Sequence, residues 1–207
     1  MTMSRTALAL CLALLPSALV AGGAPTVQEK EKKPSMPPDM QEQMRRWTEA
    51  CTPNENHKKL ADWIGKWDTK TTMTGMGAEP MVSTGTAEAR WLLEGRWLQE
   101  EWTGEIMGKK TRGFVTMGYD NFKRKYVVSF VDSYQTTLNV AEGAFDQTGK
   151  VLLAYGWMDE PMTGEQDKMV KYVWRLLSPD KRIFEVHDLA IGESNTKVYE
   201  VEYTRRK

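Results

Sequence analysis

Through the C-terminal two thirds of the chain, apolar and polar residues alternate with a period of two. Tyr199, Val201 and Tyr203 hold one parity while Glu200 and Glu202 hold the other. Val170, Tyr172, Trp174 and Leu176 oppose Lys171 and Arg175, and Phe184 and Val186 oppose Glu185 and His187. Successive strand residues point to opposite faces, so each run predicts a strand with one buried and one wet face. Turn-forming clusters punctuate these runs at 75–80, 94–95, 108–109, 120–121, 132–133, 146–149, 161–164, 178–181 and 192–195. Ten strand candidates lie between them, the first at 66–74 and the last at 196–205. No segment of this region is long and periodic enough to serve as a crossover helix, which leaves antiparallel pairing. Ten half-buried strands must close or stack to bury their apolar face and hide their edges. The predicted fold is all-β: a single antiparallel up-and-down barrel of about ten strands with a short N-terminal helix.

Ahead of the strands the period changes. Met40, Met44 and Trp47, with Arg45 and Arg46 between them, predict a short amphipathic helix over 39–50. Leu60, Trp63 and Ile64 give a second apolar face at i, i+3 and i+4, after a start signal at Pro53-Asn54. Residues 25–40 are Pro-rich and charged, with almost nothing to bury, and read as a flexible linker.

The first residues follow a different logic. Arg5 precedes an apolar run at 7–20, which Pro16 interrupts and which is short for a membrane span. Small residues follow at 21–24, as at a signal-peptide cleavage site. The expected organisation is a signal peptide over 1–23, linker and helix over 24–50, and a β-barrel domain over 54–207. The expected location is exported, either periplasmic or secreted. Cys11 would leave with the signal, so the mature chain would keep only Cys51 and no internal disulfide.

Composition narrows the function classes. Lys plus Arg total 28 and Asp plus Glu total 28, so no global field attracts nucleic acid or an anionic membrane. Eight Trp and thirteen Met supply large core fillers and adaptable apolar surface.

Several short motifs resemble one bacterial family. They are His57-Lys58-Lys59-Leu60 with Ile64-Gly65-Lys66-Trp67-Asp68, Gly85-Thr86-Ala87-Glu88, and Leu98 to Gly104 (LQEEWTG). Gly118-Tyr119-Asp120-Asn121, Asp159 to Gly164 (DEPMTG) and the closing Glu202-Tyr203-Thr204-Arg205 complete the set. Their order and spacing over 54–207 resemble the family catalogued as domain of unknown function 1579. The resemblance implies a calycin-like β-barrel and carries no established activity. Gly65-Lys66-Trp67 also looks like the Gly-x-Trp of lipocalins, where an Arg of the last strand packs across the Trp. Arg205 or Arg206 stands at the right place in the sequence to cover Trp67 by cation–π contact.

Candidate chemistry is sparse. No nucleophile elbow, phosphate loop, dinucleotide-binding glycine set or EF-hand loop occurs. His57 lies at a polar helix start, where a surface or capping role is expected. His187 shares its parity with Glu185, opposite Phe184 and Val186, so it should face solvent or a rim rather than hold a haem in an apolar pocket. His187 and Asp188 point opposite ways as strand neighbours and lack a third zinc ligand. The same geometry separates Glu100 from Glu101 and argues against a carboxylate dyad. Glu100 shares parity with Leu98 and Trp102, so it should face inward, with Arg90, Arg96 or Arg112 as a partner. No catalytic residue, metal site or cofactor is expected.

Two readings of function follow. In the first, a small apolar or amphipathic molecule occupies the barrel, against a wall of Trp91, Glu100, Trp102, Trp157, Trp174 and Tyr203. In the second, the interior is filled and the domain serves as a structural or interaction module. Neither involves nucleic acid, nor a membrane span once the signal is removed.

Overall fold

The computed structural model describes residues 36–74, 79–189 and 196–207. The expected signal peptide and most of the linker therefore lie outside the described residues. Residues 38–207 form one compact unit. It opens with helix α1 (Pro38–Cys51) and the single-turn helix α2 (Glu55–Lys58), followed by a 3-10 turn over Ala61–Trp63. Then come β1 (Gly65–Met73), β2 (Met81–Leu92), β3 (Trp97–Ile106), β4 (Lys109–Asp120) and β5 (Lys125–Asp132). The second half comprises β6 (Asn139–Phe145), β7 (Val151–Glu160), β8 (Glu165–Ser178), β9 (Lys181–Asp188) and β10 (Thr196–Arg205).

The ten strands form a closed antiparallel barrel in sequence order, with β1 pairing to β10 to complete the ring. Closure removes every free strand edge, which is how an up-and-down sheet of this length avoids edge-to-edge association. The sequence alternation maps onto the two faces. Trp67, Ala87, Leu98, Met117, Val128, Ala141, Leu152, Val170, Phe184 and Val201, one from each strand, lie in a single buried cluster inside the barrel.

The segment before β1 plugs one end. Leu60, Trp63 and Trp67 are fully or almost fully buried there, and Trp63 meets Phe145 and Trp174 edge-on or tilted. The turn that delivers them is capped at both backbone and side-chain level. Asn54 Oδ1 accepts from the Asn56 N–H at 2.9 Å, and the Asn54 N–H donates to His57 Nδ1 at 3.0 Å. His57 is buried rather than exposed, with its ring edge-on to Tyr119, so it is a capping residue inside the plug.

Helix α1 buries no residue of its own. Its C-terminal carbonyls are held by a side chain from the β4–β5 turn. Asn121 Nδ2 donates to the carbonyls of Glu49, Ala50 and Thr52 at 3.0, 3.3 and 2.7 Å, satisfying groups that the helix leaves open.

Candidate functional site

The plugged end is organised by two arginines stacked on aromatic rings. Trp67 and Arg205 face each other directly across the β1–β10 seam, and the Arg205 guanidinium lies 4.1 Å from the Trp67 ring centroid. Arg205 also donates to the carbonyls of Ile64, Asp62 and Pro179 at 2.7, 2.8 and 2.7 Å, tying the plug to the last strand. Gly65 is required here: its φ is +131°, and a Cβ would sit 2.4 Å from Arg205 Nη1. Of the two terminal arginines it is Arg205 that covers Trp67. Arg206 points outward to Asp68 at 2.5 Å.

A second arginine, Arg182 of β9, is the residue that sequence reasoning overlooked. Its guanidinium lies 3.9 Å from the Tyr203 centroid, 4.6 Å from Trp67 and 5.6 Å from Trp63. It forms a buried ion pair with Glu100, and both residues are only 4% exposed. The other Glu100 oxygen accepts the Tyr203 hydroxyl at 3.0 Å. Burial, followed by the Glu100 charge, pushes the Tyr203 hydroxyl well above its ordinary pKa, so it acts as a donor. Glu100 thus faces inward as its parity requires, but its partner is Arg182. The three arginines expected to serve are engaged elsewhere: Arg90 with Gln99, Arg96 with Glu94 and the Cys51 carbonyl, and Arg112 with Glu101. With a partner on each oxygen, the carboxylate ties β9 and β10 to β3 across the barrel's interior.

Beyond this network the middle of the barrel is aromatic. Phe130, Tyr172, Trp174 and Phe184 stack on one another at centroid distances of 4.8–6.2 Å. Trp174 and Tyr203 are therefore buried members of the core. Trp91 and Trp102 are half-buried and pack against that core from β2 and β3. The Trp102 ring lies flat on Gly113 of β4, where a Cβ would meet it at 2.5 Å. Trp157 does not join the expected wall. It stands on the outer face and is 53% exposed, because the inward positions of β7 belong to Leu152, Ala154 and Gly156.

Buried polar atoms without a hydrogen bond among the described residues include Arg182 Nε, inside the Glu100 network, and a hydroxyl beyond it. The Tyr172 hydroxyl is buried among the stacked rings and makes no hydrogen bond among the described residues, as is also true of Thr137 Oγ1. Burial alone pushes the Tyr172 pKa above its ordinary value. An unsatisfied buried hydroxyl costs about 1–3 kcal/mol.

At the end opposite the plug, inward positions become polar. Lys168 reaches Asp188 at 2.7 Å, Asn139 is buried, and Tyr199 is pushed up to about 12, first by burial and then by the Asp132 charge. The outer wall also carries a depression of about 280 Å³ lined by Lys66, Glu88, Arg90, Glu101 and Arg206. Its charges are largely paired, Lys66 with Glu88 and Arg206 with Asp68, so it is a charged ladder between strands. His187 lies on the outer wall, where its Nε2 is 3.5 Å from Glu185. Among the described residues, no cluster of His, Cys, Asp and Glu could hold a metal ion.

A ring of ten strands in sequence order, plugged at one end by its N-terminal turn, places the molecule among the closed up-and-down β-barrels. Within that class, the chain belongs to the family described as "Protein of unknown function (DUF1579)", whose model matches residues 52–205. No curated protein matches the chain. Among solved structures, Rv2717c from M. tuberculosis is similar with a TM-score of 0.55 at 11% identity, covering 75% of this chain and all of that one. The S-type phycobiliprotein lyase CPES from Guillardia theta is similar with a TM-score of 0.50 at 10% identity, covering 78% of this chain and 97% of that one. At such identities the likeness is one of fold.

Proposed function

We propose that the protein binds a small amphipathic molecule inside the barrel, on the side of the aromatic cluster away from the plug. The observation that carries this reading is the Tyr172 hydroxyl, buried among apolar rings with no partner among the described residues. A ligand with an apolar body and one acceptor would pack on Phe130, Tyr172 and Phe184 and satisfy that hydroxyl. The polar inner end formed by Asn139, Lys168 and Asp188 would meet its hydrated part. Trp174 and Tyr203 would underlie the ligand from the plug side, and Glu100 would act through Arg182 and Tyr203 as a positioning residue. One structural relative is a phycobiliprotein lyase, which is compatible with a barrel of this kind handling a small molecule.

Export is part of the same proposal. What supports it is the sequence alone: Arg5, the apolar run at 7–20 and the small residues after it. Native mass spectrometry of protein purified from its own host tests the ligand, and the N-terminal sequence of the same sample tests the processing. A mass above that of the polypeptide, removed by organic solvent, supports the reading. A polypeptide mass alone, with no small apolar molecule retained or taken up, contradicts it.

The second reading is an interaction domain with a filled core. It is favoured by the contact distances of the four stacked rings, which leave no room for another ring between them.

A further inference from the structure

We propose that the outer wall of β6, β7 and β8 is a self-association surface, on which a second copy of this chain docks about a two-fold axis crossing the strands at Trp157. The proposal does not depend on an interior ligand. The register sets Val140 beside Trp157 and Trp157 beside Met169, and all three are exposed on the outer wall. Together with Leu138 and Tyr155 they are between 40% and 64% exposed. These five residues present roughly 500 Å² of apolar wall, near the top of the range for the largest patch on a monomer. The same area is more than half of the ~800 Å² per partner of a standard interface. A closed barrel has no free edge to pair, so association has only its faces to use.

Charge identifies the occupant. On the plug side of the apolar row lies Lys171, two residues beyond Met169, with Lys123 and Lys125 gathered around Glu142 nearby. On the rim side the same two strands carry Asp159 and Asp167, joined by a hydrogen bond from the Asp167 N–H to Asp159 Oδ1 at 3.1 Å. Among the described residues, Lys171, Asp159 and Asp167 make no ion pair. The wall is thus basic at one end of the row and acidic at the other. A two-fold axis across the strands lays β7 antiparallel on β7 and Trp157 on Trp157. It also brings Lys171 of each copy to Asp167 of the other. An axis along β7 would instead set Asp159 on Asp159, which like-charge repulsion disfavours, and Lys171 against Glu142, whose charge Lys123 and Lys125 already offset.

Sedimentation velocity on the full chain at rising concentration tests this. The expected result is a concentration-dependent dimer that Trp157→Glu converts to a monomer, with the circular dichroism and melting profile of the barrel retained. Lys171→Asp weakens the dimer by about tenfold or more, since two symmetric exposed pairs are lost. Combining it with Asp167→Lys restores the dimer. Met169→Glu gives the same readout should Trp157→Glu impair folding. A wild-type chain that stays monomeric, a dimer that survives these wall substitutions, or a double reversal without rescue overturns the proposal.

Discussion

Glu100 of β3 and Arg182 of β9 form an ion pair inside the barrel, at a sequence separation of 82 residues. Neither strand neighbours the other in the sheet, so the pair spans the interior rather than running along the wall. Two charges taken out of water are tolerated only when their remaining valences are met. Here Tyr203 completes the carboxylate and the rings of Trp67 and Tyr203 face the guanidinium, while Arg182 Nε makes no hydrogen bond among the described residues.

Removing one partner strands the other. Glu100→Gln is expected to lower the unfolding free energy by about 3–5 kcal/mol, because Arg182 remains charged and buried. The double variant Glu100→Leu/Arg182→Met should cost markedly less than the single changes combined. Urea denaturation of the four species measures this directly. A single-variant loss below 1 kcal/mol, on the order of an exposed pair, would show that the site is wetter than its burial implies.

The seam between plug and barrel is expected to depend on Arg205. Arg205→Ala removes three hydrogen bonds to carbonyls and the contact with Trp67, and should cost about 2–4 kcal/mol. Gly65→Ala should cost about 1–3 kcal/mol through backbone strain and the collision with Arg205. In Gly65→Ala/Arg205→Ala the collision is gone, so the two losses should be less than additive. Thermal melts of the three variants report the coupling.

Acid should weaken the protein in two stages. His57 titrates below its ordinary value, first because it is buried and then because Arg96 repels its proton. The unfolded chain therefore takes up that proton at higher pH, and stability is complete above about pH 6.5 and declines as pH falls below it. Protonation also ends the acceptance of the Asn54 N–H by Nδ1. Burial acts upward on Glu185, but the hydrogen bonds and charges of Arg175 and then His187 together outweigh it and hold its carboxyl below the ordinary value. Its contribution is present above the unfolded pKa and lost as pH falls through the folded one, below about pH 4.3. Denaturation midpoints across pH 3–8 should show both limbs, and His57→Gln should flatten only the upper one.

Much of this architecture is legible in the chain. The expected strands 66–74 and 196–205 are observed as Gly65–Met73 and Thr196–Arg205, because alternation and turn residues agree along nearly every run. The inward face of Glu100 and the covering of Trp67 by Arg205 follow from the same parity and from chain order. The identity of Glu100's partner did not, because it depends on how the sheet closes. Arg90, Arg96 and Arg112 lie closer in the sequence, yet β9 crosses the barrel opposite β3. The available signal was that Arg182 shares the parity of Phe184 and Val186. Trp157 misled for a different reason: its inward neighbours, Ala154 and Gly156, are small, and bulk suggested the interior where register places the outside.

Tyr172→Phe gives the most direct test of a ligand in the barrel, read by two numbers on the same protein. One is the unfolding free energy without ligand; the other is the affinity for a medium-chain fatty acid, followed by tryptophan fluorescence. The account predicts that the variant is more stable than wild type by about 1 kcal/mol, having lost an unsatisfied buried hydroxyl. It also predicts binding about tenfold weaker, having lost the one hydrogen bond offered to the ligand. A fatty acid that never perturbs the fluorescence, or one bound equally by both proteins, would contradict it.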